Sequence, residues 1–222
     1  MSHSRLLTAA AATLLATPLL VTPLSALAHD GHAASGLAAG LAHPFTGLDH
    51  LVAIVAIGGL AGLASRRQGL ASSLERTDTI SSPARIAIAA FLGLAAGILA
   101  AVLGARGLLD SFASVGLAEQ AVVIGLLAVA AMVLRVERLN VGAVGIAALF
   151  VLLPHGYLHG TAGSGGAFFA GLALASVALF ATGLSVGRSV ARLPLARARS
   201  ARLLMAASLA ACSGWFMAFG AL

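Results

Sequence analysis

The sequence predicts an all-α fold: a polytopic membrane helix bundle with six transmembrane helices behind a cleaved signal peptide. Three observations predict it. Of the 222 residues, 60% are hydrophobic and 9% charged, with a mean hydropathy of +1.03; soluble domains carry about 25% charged residues. Six apolar runs follow one another at about 44–64, 84–105, 116–134, 140–158, 166–187 and 203–221, each near the ~20 residues that cross a hydrocarbon core. These runs lack the alternating polar pattern of barrel strands, and only helices or closed barrels satisfy their backbone within lipid. One compact bundle over residues 29–222 accounts for the length.

The first segment stands apart from the bundle. Arg5 precedes an apolar stretch, LLTAAAATLLATPLLV, which ends near Ala26-Leu27-Ala28. A basic start, an apolar middle and a small-x-small site make a secretory signal over residues 1–28. Pro18 and Pro23 favour cleavage over an uncleaved anchor helix. The mature chain then begins His29-Asp30-Gly31-His32 on the non-cytoplasmic side.

The loops orient the six spans. All 13 basic residues are Arg. Arg66, Arg67, Arg76 and Arg85 lie between the first and second spans, and Arg135 and Arg138 between the third and fourth. Arg188, Arg192, Arg197, Arg199 and Arg202 lie between the fifth and sixth, whereas the opposite loops hold only Arg106. The positive-inside rule puts the Arg-rich loops in the cytoplasm and both mature termini outside, in agreement with a cleaved signal. The expected location is the bacterial inner membrane, with periplasmic termini. A pI near 11.5 suggests nucleic acid only where a folded domain presents a basic face; here the Arg residues sit in short loops and act as orientation determinants. Gly and Ala crowd the spans, as in Gly93-x-x-x-Gly97, and small residues let helices approach closely in lipid. The single Cys, Cys212, excludes an intramolecular disulfide and a thiolate cluster.

The ionisable residues gather at one depth. His43, Asp49 and His50 lie at the outer end of the first span, Glu119 at the outer start of the third, and His155 and His159 at the outer end of the fourth. Ionisable side chains within spans face the bundle interior and mark a pathway or site. His155 and His159 share a helix face one turn apart and can present two imidazoles to one metal. His43 and His50 also share a face, but a straight helix sets them roughly 10.5 Å apart. Pro44 and Gly47 lie between them, and Pro suits a first helical turn better than an interior. His43 is therefore expected to cap or precede the helix, with a bend near Gly47 that leaves Asp49 and His50 in or just after the first turn. Glu119 also suits a helix N-terminus for dipole reasons alone. After cleavage, the His29 α-amine and imidazole, with His32, can collect metal weakly. Imidazole with carboxylate suits Ni²⁺, Co²⁺, Zn²⁺ or Cu²⁺ rather than Ca²⁺ or Mg²⁺.

These residues resemble a known family. His43-Pro-Phe-Thr-Gly-Leu-Asp49-His50, opening the run LVAIVAIGGLAG, resembles the HupE/UreJ signature His-Pro-x-x-Gly-x-Asp-His. His155-Gly-Tyr-Leu-His159-Gly is similar to that family's second motif, His-Gly-x-x-His-Gly, and Glu119 resembles a glutamate found before its third span. The resemblance covers essentially the whole chain, and the first motif is its specific part. It implies a nickel or cobalt permease, or an accessory protein of hydrogenase or urease systems, with His43, Asp49, His50, His155 and His159 as metal residues. The second motif of the family usually continues to a Glu where this chain has Ala162, which implies one oxygen ligand fewer.

A P-loop needs a Lys, and the chain has none, so transport must draw on gradients or trapping. The reading is therefore a divalent transition-metal permease without enzymatic activity. Its partners are the metal ion, the lipid bilayer and other membrane or periplasmic metal-handling proteins, with no nucleic acid. Two rivals belong to other classes. An accessory protein binds metal and hands it on without translocation. An intramembrane zinc-dependent hydrolase needs an open coordination position and a general base such as Asp49 or Glu119; the chain offers neither a nucleophile elbow nor HExxH.

Overall fold

The structure, a computed structural model, describes residues 34–71, 82–105 and 115–219. The proposed signal peptide, His29, His32, Arg76 and Arg106 lie outside the described residues. Seven α-helices are described: α1 (Leu37–Thr46), α2 (Leu48–Ala71), α3 (Ser82–Ala105), α4 (Val115–Arg135), α5 (Val141–Ala162), α6 (Gly166–Ala191) and α7 (Leu195–Phe219). Six of them, α2 to α7, are long and apolar enough to cross a membrane. α1 has ten residues, about 15 Å of helix, too short to span.

The start of the first span has the expected layout and adds one element to it. His43 precedes the spanning helix α2, as expected, but it does so from the last turn of a separate helix, α1, with Pro44 inside that helix. A Pro near a helix end costs one backbone bond, because it has no N–H to donate. The bend near Gly47 is present. Gly47 is extended (φ −102°, ψ 110°) and ends α1, while its carbonyl accepts the Leu51 amide at 3.2 Å and so opens α2. Thr46 Oγ1 donates to the His43 carbonyl at 2.8 Å, satisfying one acceptor that the helix end leaves open.

The last span starts earlier than expected. α7 begins at Leu195, directly after Pro194, and so takes in Arg197, Arg199 and Arg202. Arg is a good helix former, and its long side chain lets a helix continue past the apolar boundary. α5 opens on Asn140, whose side chain accepts the Ala143 amide at 2.7 Å, a standard N-cap.

A feature with no precedent in the hydropathy pattern joins two helix starts. β1 (Ala34–Ser35) pairs in parallel with β2 (Gly163–Ser164), in the register Ala34 to Gly163 and Ser35 to Ser164. Each strand is followed by a glycine at positive φ, Gly36 at 89° and Gly165 at 83°, which turns the chain into α1 and α6. Only glycine adopts that conformation without strain. The first motif is thereby tied to the end of α5, which carries the second.

Backbone-to-backbone contact organises the bundle. α2 runs beside α6, and α3 beside α5. A methyl on Gly183 of α6 would strike the Val55 carbonyl of α2, and one on Gly156 of α5 the Leu94 carbonyl of α3. Gly93 and Gly97 approach Leu149 and Leu153 of α5 in the same way, as their spacing predicts. The core between these pairs is apolar, with Ile54, Ile57, Leu60, Ile86, Leu126 and Leu152 almost fully buried. At the Arg-bearing end, Arg202 pairs with Glu137 at 2.6 Å.

Candidate metal centre

Four imidazoles meet at the opposite end of the bundle. The break at Gly47 swings His43 of α1 back toward His50 of α2, and their ring centroids lie 5.8 Å apart. α5 supplies the other two. His159 lies 4.9 Å from His43 and 4.2 Å from His50, and His155 lies 5.3 Å from His50. The rings form a file, His43–His159–His50–His155. His43, at one end, is half-buried. His50, His159 and His155 are 2%, 0% and 0% exposed. The two motifs therefore converge on one place, although His50 and His155 are 105 positions apart in the chain.

Two hydrogen bonds set the chemistry of the inner rings. Asp49 Oδ1 lies 2.8 Å from His50 Nδ1. A carboxylate oxygen accepts, so Nδ1 carries the proton and Nε2 keeps its lone pair. His155 Nδ1 lies 2.9 Å from the Val151 carbonyl, which can only accept, so the same tautomer follows there. Both Nε2 atoms are buried and have no hydrogen-bond partner among the described residues. A histidine that donates through one ring nitrogen and leaves the other bare is arranged as metal-ligating histidines are. Burying a bare imidazole nitrogen has a desolvation cost, which a cation would offset. The donor set fits a borderline transition-metal dication. Among the described residues, no three His, Cys, Asp or Glu side chains are arranged around a common point; the imidazoles touch edge to face or tilted.

Asp49 thus stands behind the His50 ring, on the side away from its bare Nε2. Glu119 lies half-buried on α4, beyond that helix's first turn. Its neighbours Ala118 and Val122 pack against Leu158 and Tyr157, which puts the start of α4 alongside the second motif. One contributor escaped the sequence reading. Phe168 of α6 is fully buried, with its ring 5.4 Å from that of His43, and it fills the space where a side chain on Gly163 would be. Its signal is an adjacent aromatic pair, Phe168-Phe169, after the Gly-rich opening of the fifth span.

The model of the HupE / UreJ protein family matches residues 17–216. This chain belongs to the HupE/UreJ family. It is similar to Protein HupE of Rhizobium leguminosarum bv. viciae, at 33% identity over 191 residues, which covers 84% of each chain. No solved structure matches it. As a HupE/UreJ protein it is a multi-pass membrane protein with six candidate spans, and both family motifs contribute to the imidazole file.

Proposed function

We propose that this protein is a permease for divalent transition-metal ions, Ni²⁺ or Co²⁺, which takes the ion in at the imidazole file and passes it inward without ATP. The observation that carries this reading is the pair of buried, tautomer-fixed imidazoles, His50 and His155, whose Nε2 atoms have no partner among the described residues. The HupE/UreJ resemblance supports nickel or cobalt over zinc or copper. Edge-to-face rings hold no preformed cage, so ring rotation brings two or three nitrogens onto the ion. A site of that kind binds and releases, as conduction requires. Glu119 sits on α4, whose start packs alongside the second motif. It compensates the dication's charge as the ion leaves water, which matters because Ala162 supplies no carboxylate.

The Arg census supports an inner-membrane protein with the imidazole file facing the periplasm and, after signal cleavage, both termini there. His29 and His32 then collect ions at the entrance. A membrane potential of 100 mV drives a dication inward by about 4.6 kcal/mol, twice the single-charge value. Other membrane or periplasmic metal-handling proteins supply or receive the ion.

The test is Ni²⁺ and Co²⁺ accumulation in proteoliposomes, with the parent protein and His50→Ala. Accumulation by the parent that His50→Ala abolishes is the expected result. Binding without accumulation leaves the accessory role, and accumulation unaffected by His50→Ala removes the file as the site.

A further inference from the structure

The face of α6 that packs on α1 and α2 holds a polar group that nothing above uses. Ser176 is 0% exposed, and its hydroxyl has no hydrogen-bond partner among the described residues. Serine and threonine within a spanning helix commonly back-bond to the carbonyl four residues earlier. α6 does so at Thr182 to Ala178 (2.9 Å), Ser185 to Ala181 (2.8 Å) and Ser189 to Ser185 (2.9 Å). Ser200 on α7 does the same with Ala196 at 3.2 Å. Ser176 has the Leu172 carbonyl at the same spacing and leaves it unused. Its hydroxyl is buried without using that acceptor.

Register along α6 gives its level. Phe168, Leu172, Ser176 and Phe180 are all buried and, at a spacing of four, lie on one stripe. Phe168, at one end of the stripe, touches the His43 ring. The Leu172 amide faces Gly40 of α1, and the Phe180 carbonyl faces Gly58 of α2. α1 therefore covers the stripe as far as Leu172, and α2 covers it from Phe180 onward. Ser176 falls between them, at the level of the α1–α2 break that carries Gly47, Asp49 and His50. It lies about 12 Å along α6 from Phe168, toward the Arg-bearing end.

We propose that Ser176 Oγ is a further oxygen donor for the transported cation, met at the level of the α1–α2 break that carries His50, as the ion moves on through the inner part of the imidazole file. A lone pair of the hydroxyl faces the cation, and its proton turns to the Leu172 carbonyl, the type of acceptor its neighbours on α6 use. A neutral alcohol is a weak ligand beside imidazole, so it lowers the cost of departure without trapping the ion. This inference rests on the permease reading, and its test separates the two.

Full-length protein is compared as parent, Ser176→Ala, Ser176→Cys and His50→Ala, all carrying Cys212→Ser, with Co²⁺ as the probe. Ser176→Ala is expected to slow Co²⁺ uptake into proteoliposomes by about tenfold, in the range seen when supporting groups of a metal site are lost. Its Co²⁺ affinity in detergent is expected to stay that of the parent, because the imidazoles are intact. Ser176→Cys is expected to add a near-ultraviolet sulfur-to-cobalt charge-transfer band that the parent lacks. Parent-like uptake by Ser176→Ala, or Co²⁺ bound to Ser176→Cys without that band, overturns the assignment and means that Ser176 is only packed or hydrated. In that case His50-dependent binding and uptake by the parent still stand. A parent that neither binds nor takes up Co²⁺ overturns the permease reading and the assignment with it.

Discussion

Removing the Asp49 carboxylate measures how far the imidazole file depends on an oriented His50. Asp49 Oδ1 lies 2.8 Å from His50 Nδ1, with the side chains 21% and 2% exposed, so the bond is sheltered from water. Asp49→Ala leaves the His50 ring free to rotate or to swap tautomers, which places a proton on the nitrogen that should meet the ion. Partners that orient ligating histidines are worth 10–100-fold in metal affinity, or about 1.4–2.8 kcal/mol at 1.4 kcal/mol per decade. Hydrogen bonds to charged groups, at about 1.5–3 kcal/mol, give a similar figure by a separate route. Asp49→Ala is therefore expected to weaken Ni²⁺ binding by about 10–100-fold, read by titration calorimetry of the purified protein in detergent. Asp49→Asn keeps an acceptor oxygen and loses only charge, so it should fall between the two. If Asp49→Ala binds Ni²⁺ as tightly as the parent, Asp49 does not orient His50. The same conclusion follows if Asp49→Ala and His50→Ala add in full in the double variant, because residues that act as one unit are non-additive.

Three further outcomes are expected. Gly156→Ala, whose methyl would strike the Leu94 carbonyl, should lower stability by about 1–3 kcal/mol through overpacking; Gly104→Ala, with nothing within 4 Å, should stay within about 0.5 kcal/mol, both read by thermal melting in detergent. Arg202→Gln removes a pair whose Glu137 partner is 56% exposed, so its cost should be about 1 kcal/mol or less and should shrink in high salt; a salt-independent loss would show that burial of the Arg stem is what matters. Thr161→Cys and Arg199→Cys, both at exposed positions and both in a Cys212→Ser background, test the orientation. A membrane-impermeant maleimide should label Thr161→Cys in spheroplasts and Arg199→Cys only after lysis, and the reverse pattern inverts the topology.

The spans were legible because hydropathy is local: each run reports its own preference for lipid, whatever it packs against. The same holds for the bend at Gly47, where Pro44 and a glycine break helical bonding within a few residues, and for the shared face of His155 and His159. Boundaries were less legible. α7 begins at Leu195 rather than 203 because helix formation and the apolar boundary are separate properties, and Arg satisfies the first outside the second. α1 became a helix of its own, with His43 in its last turn, because its Gly40 lies against the Phe168 and Leu172 backbone of α6, a contact absent from any sequence window.

By itself, the sequence determined the solvent, the number of crossings, the charge asymmetry and the residue types able to bind a metal. Tertiary structure alone decided that the four imidazoles form one file, that Asp49 stands behind His50 instead of joining the rings, and that Phe168 packs against the file. The physical reason is that these facts depend on register between helices far apart in the chain. Glycine contacts between α2 and α6 and between α3 and α5, together with the short β1–β2 pairing, set that register. A shift of one helical turn, about 5.4 Å, would separate rings that now lie 4.2 Å apart.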